Sequence, residues 1–115
     1  MAERSIFQEM EKELDRRIVD LYNEEEKYTV RYIWEGPMRE IFERLRGVLK
    51  REGLTEFMRE VNLEYDLLKA EKDEDLRHIL QVFCVRLFSE AVFVYSRFRE
   101  KTMERTKTGE GGDKR

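Results

Sequence analysis

Residues 73–106 read DEDLRHILQVFCVRLFSEAVFVYSRFREKTMERT, and the fold turns on this segment. Placed on a helical wheel, Leu80, Phe83, Cys84, Leu87, Phe88, Ala91, Val94, Tyr95 and Phe98 fill one broad face, which is the expected core side of a long helix. Val82 and Phe93 fall on a different side, among Ser89, Arg86 and Arg97, with Val85 and Val92 at the border. A surface helix normally carries a single apolar stripe. Four helices of this size cannot easily surround one of their own members, so the second face is expected to be covered by another copy of the chain. Val82, Val85, Val92 and Phe93 are the expected interface, each worth roughly 1.5–3 kcal/mol if fully buried. The competing arrangement has the second or third helix crossing this face within one subunit.

Working back from this helix, the acidic segment EKDED at 71–75 makes a short break, and Asp73 can cap the helix that follows. A third helix carries Phe57, Met58, Val61, Tyr65 and Leu68, with Thr55 as its expected cap. Gly53 separates it from a second helix with Met38, Ile41, Phe42, Leu45, Val48 and Leu49 on one face. Gly36-Pro37 marks another boundary, where a left-handed glycine would end one helix and proline would open the next. The first helix opens at Ser5, which with Gln8 fits a capping box, and its stripe is Phe7, Met10, Leu14, Ile18 and Leu21. The stretch Tyr28–Trp34 alternates as a strand would, yet Tyr28 and Tyr32 also extend the helical stripe, with Glu25 as its one break. No other segment offers a partner strand, so helix is expected here, kinked near 24–26. The expected architecture is all-α: a four-helix, bundle-like single domain over 1–106, with long first and last helices, dimeric. The glycine-rich tail 107–115 is expected to be disordered.

Composition narrows the function. Among 115 residues, 40% are hydrophobic and 43% charged, a balance that suits amphipathic helices. The net charge of −3 comes from 23 basic and 26 acidic residues interleaved along the chain, so no broad basic face for nucleic acid is expected. Glu and Arg are abundant while Asn23, Asn62, Gln8 and Gln81 are the only side-chain amides, a bias typical of thermophile proteins. The single cysteine excludes an intramolecular disulfide and suits a reducing cytoplasm. The N-terminal stretch lacks the apolar core of a signal peptide, and the oily run 79–95 is interrupted by Gln81, Arg86, Ser89 and Glu90, so no membrane association is expected.

The residues that carry chemistry do not assemble into a catalytic motif. His78 is the sole histidine, which excludes paired Glu-x-x-His metal motifs and His-rich zinc sites. Cys84 lies six residues from it on one helix and points elsewhere, so a Cys–His pair is not expected; it reads as a small core residue. Glu24, Glu25 and Glu26 with Glu60, Glu64 and Asp66 resemble the acidic helices of the magnesium-binding all-α nucleotide pyrophosphatases, but the spacing differs from E-E-x-x-E followed by E-x-x-D. The stretch TEFMREVNLEYDLL at 55–68 loosely resembles a helix-turn-helix, with Asn62 at the turn. Met58 stands where a small residue is usual, and the would-be recognition helix is acidic where base and phosphate contacts want basic or amide groups. Basic residues on the second helix (Arg39, Arg44, Arg46, Lys50, Arg51) and the last (Arg97, Arg99, Lys101, Arg105, Lys107) alternate with glutamates as ordinary helix-supporting pairs. The expectation is a non-enzymatic interaction or scaffold protein acting as a homodimer, without cofactor or metal. The alternative is a helix-turn-helix-like DNA-binding transcriptional regulator. Tyr28, Tyr32 and Trp34 could rim a second partner site, although core positions suit them better.

Overall fold

The computed structural model describes residues 6–101 in full and, beyond them, only the course of the first and last helices. Among the described residues the long helices are four: α1 (Ala2–Glu25), α2 (Arg39–Glu52), α3 (Leu54–Leu67) and α4 (Glu74–Lys114). A helical turn at Arg31–Ile33 and a wide turn at Trp34–Met38 lead into α2, and a 3-10 turn at Leu68–Ala70 follows α3. No strand occurs among the described residues, so the all-helical expectation holds. The Ser5–Gln8 capping pair and the tail from Lys107 lie outside the fully described residues.

Cross-helix contacts fix the direction of each neighbour. Asp15 meets Arg46, and Tyr22 meets Phe42, so α1 and α2 run antiparallel. Arg44 of α2 bonds Glu64 of α3, and the carbonyl of Tyr65 accepts from the Gln81 amide of α4 at 3.2 Å. Arg17 meets Glu90 while Glu25 meets Arg86, so α4 returns antiparallel to α1. Consequently α4 is flanked by α1 on one side and α3 on the other. One core joins all four, with Leu14, Ile18, Met38, Leu45, Leu49, Phe57, Leu87, Cys84 and Val94 fully enclosed.

Two junctions behave as the local chemistry demands. Gly53 has φ +98°, closes α2 through its N–H to the carbonyl of Leu49 at 3.0 Å, and opens α3 by accepting from Phe57 at 3.0 Å. Asp73 caps α4, its carboxylate accepting from the Leu76 N–H at 3.1 Å. Other details differ from expectation. Thr55 does not cap α3, because the helix already begins at Leu54 with Gly53 in the capping position. Gly36 is not left-handed: its φ of −101° and ψ of −105° make a kink inside the wide turn that contains Pro37.

The region after α1 is the largest correction. The helix does not continue through Tyr28; its end tightens into shorter-range bonds from the N–H groups of Glu26, Lys27 and Tyr28 to the carbonyls three residues back. Val30 is extended, and helix resumes for one turn at Arg31–Ile33. This reversal leaves Tyr28 and Tyr32 exposed and swings Trp34 inward. Trp34 stacks on Tyr22 with centroids 4.7 Å apart, and Phe42 covers the other face of Tyr22 at 4.5 Å. Tyr28 and Tyr32 are therefore not core, and the three aromatics do not rim one groove. Phe7 and Tyr95, expected in the core, are also exposed. They line a small hollow at the α2–α3 corner with Gly53 and Leu54.

Candidate interaction surface

Between Ile79 and Phe98, α4 has three charged residues: Arg86, Glu90 and Arg97. All three turn toward α1. Arg86 pairs with the buried carboxylate of Glu25, Glu90 accepts from Arg17 at 2.6 Å, and Arg97 approaches Glu13 at 3.8 Å. This explains why Glu25 interrupts the apolar stripe of α1: its position faces α4 and holds a cation there. A second carboxylate oxygen on Glu25 takes the hydroxyl of Thr29 at 3.3 Å.

Drawing every charge to one flank leaves the outward face of α4 without any. Val82 is 42% exposed, Val85 51%, Val92 39% and Phe93 47%. Ser89 and Ser96 lie between them, also exposed. Neither α2 nor α3 crosses this face; α3 lies beside it. Val82, Val85, Ser89, Val92 and Ser96 follow alternating spacings of three and four residues, the repeat of a helix–helix seam. On the α3 flank, Val61, Asn62, Tyr65, Cys84, Val85, Phe88 and Ser89 line an apolar groove of about 190 Å³. On the α1 flank, the Arg17 guanidinium sits 4.2 Å from the centroid of the Phe93 ring, so Phe93 is partly tied within the subunit.

Chemistry-bearing residues are dispersed. The Cys84 thiol is enclosed, and burial pushes its pKa up to about 12, so the reactive thiolate is suppressed at neutral pH. His78 is exposed on α4. Among the described residues, no three histidines, cysteines or carboxylates converge as a metal site. Of the acidic positions singled out, Glu24 pairs with Lys27, Glu25 with Arg86 and Glu64 with Arg44. Of the basic residues of α2, Arg39 bonds the Tyr22 hydroxyl, Arg44 pairs with Glu64, and Arg46 clasps Asp15 with two bonds of 2.6 and 2.9 Å. Asn62 lies inside the unbroken α3, so the turn of a helix-turn-helix is absent at that position. A larger open hollow of about 520 Å³ between α1 and α2 is lined by Glu11, Lys12, Asp15, Arg16 and Lys50, charges of both signs with no convergent set.

Over Glu74–Lys101, α4 is also long and apolar enough to cross a membrane by length and composition. A third of its most apolar window is buried inside the chain. No protein-family model, curated protein or solved structure matches the chain.

Proposed function

We propose that the chain is a non-enzymatic interaction or scaffold module, a helical bundle that works as a homodimer joined through the outward face of α4. The observation that carries this reading is the segregation of charge: in a chain with 43% charged residues, Arg86, Glu90 and Arg97 all pair with charges on α1 and leave an uncharged face from Val82 to Ser96. An apolar patch of this kind costs solubility in a monomer and marks an interaction site. Its residues, Val82, Val85, Val92 and Phe93, are those whose excess hydrophobicity the wheel isolates. A membrane span fits less well, because the opposite face of the same helix is the protein's core and its middle carries three ion pairs. A cytoplasmic setting agrees with the buried lone cysteine, and the thermophile bias agrees with the many ion pairs between helices.

Light scattering coupled to size-exclusion chromatography tests the proposal. The wild type is expected at twice its chain mass at micromolar concentration. Val82→Glu combined with Val92→Glu should give a monomer with unchanged helical circular dichroism, since both side chains are exposed. Phe93 is the less clean probe because Arg17 packs on its ring. A wild type that stays monomeric at high micromolar concentration, or that partitions onto lipid vesicles instead, overturns the homodimer.

A further inference from the structure

Two copies joined through the α4 face can run parallel or antiparallel, and three features of the helix separate the alternatives. The first is charge. Residues 71–77 hold four carboxylates against two basic groups, whereas residues 97–101 hold three basic groups against one carboxylate. A parallel pair sets acidic end against acidic end and basic against basic. An antiparallel pair instead points each acidic end toward the basic end of its partner and also opposes the two helix dipoles favourably.

The second feature is the position of the seam. The exposed uncharged row runs from Val82 to Ser96, and its midpoint is Ser89. Antiparallel overlap centred there sets Val82 level with Ser96 of the second copy and Val85 level with Phe93, with Val92 one residue away. Ser89 then meets its own counterpart, where a small side chain lets the two backbones approach. The third feature is the groove. A two-fold axis across the seam keeps the α3 flanks of both copies on the same side, so Val92 of the second copy lands over the apolar groove of Val61, Tyr65, Val85 and Phe88. A parallel pair turns the α1 flank onto the α3 flank and sets Arg86 against that groove, which would desolvate a cation against apolar carbon.

We infer that the α4 helices of two copies pack antiparallel, with Ser89 at the two-fold axis. The inference rests on the homodimer proposed above and adds its polarity and register. Isologous pairing of this kind closes on itself, so the assembly stops at two chains.

Disulfide trapping reads the register directly. Val82→Cys, Ser89→Cys and Ser96→Cys are made separately; all three positions are exposed, and Cys84 is enclosed in the core. In the antiparallel arrangement the two copies of position 82 lie about 21 Å apart along the axis. A disulfide needs Cα atoms within about 7 Å. Oxidation should therefore give a covalent dimer from S89C alone and from V82C mixed with S96C after exchange, but not from V82C or S96C alone. Efficient self-linking of V82C means a parallel pair and overturns the inference while leaving the homodimer intact. A dimer by light scattering in which none of these links forms also overturns the register. A monomer in light scattering removes both the register and the homodimer.

Discussion

Tyr22 and Trp34 bond each other twice. The phenol of Tyr22 donates to the carbonyl of Trp34 at 2.7 Å, and the indole Nε1 of Trp34 donates to the carbonyl of Tyr22 at 2.8 Å. The second bond completes the end of α1. When the last turn tightens, the N–H of Glu26 goes to Asn23, and the carbonyl of Tyr22 loses its usual helical donor. The indole supplies one in its place.

Trp34→Phe keeps an aromatic ring in the stack but removes that donor, leaving a buried carbonyl unpaired. A loss of about 1–3 kcal/mol is expected in urea unfolding. Tyr22→Phe should cost about 1 kcal/mol, and the double variant less than the sum, since both changes act on one contact. Strict additivity would show that the two bonds are independent.

The Glu25–Arg86 pair predicts an asymmetric response. Arg86→Met strands a carboxylate that is 8% exposed, with only Thr29 beside it. The cost should be about 1–3 kcal/mol, moderated because Arg86 itself is half exposed. Adding Glu25→Gln to Arg86→Met should restore part of the loss. If the second change lowers the melting temperature further, the carboxylate was not the source of the cost.

Acid titration isolates the Asp15–Arg46 clasp. The two bonds from Arg46 hold the Asp15 carboxyl below its ordinary pKa of 3.8. The folded pKa is depressed, so the stabilisation is present above the unfolded value and lost as pH falls through the folded one. Between neutral pH and about pH 3, the melting temperature of the wild type should fall more than that of Asp15→Asn. Parallel curves for the two proteins would remove the clasp from the acid response.

Glycine substitutions separate two corners. Gly53→Ala places a side chain at φ +98°, where its Cβ would also lie 3.2 Å from the Glu11 carboxylate. The cost should be about 1–3 kcal/mol. At Gly36 a Cβ meets nothing within 4 Å and φ is negative, so Gly36→Ala should be the milder change in thermal unfolding.

Much of this arrangement is legible in the chain because helical periodicity is local. The two faces of α4, the Gly53 boundary and the Asp73 cap each depend on residues a few positions apart. What is not legible depends on distant partners. Glu25 looks like a flaw in a stripe until Arg86 is found 61 residues away. Tyr22 lies off the regular stripe of α1, yet it is the middle layer of an aromatic stack that the reversal at 26–30 creates. Tyr95 lies beside the core residues on the wheel, yet it is exposed and lines the hollow with Gly53 and Leu54. The outward face of α4 was visible as an excess of valine and phenylalanine. That the intervening charges all pair with α1 is set by the tertiary structure.

Gly53 has one more consequence. A single residue links α2 to α3, and its backbone is bonded to both helices, so the corner has no slack. A rotation of one helix must be transmitted to the other, as between meshed gears. An inserted residue there would have nowhere to loop out without breaking a bond on one side.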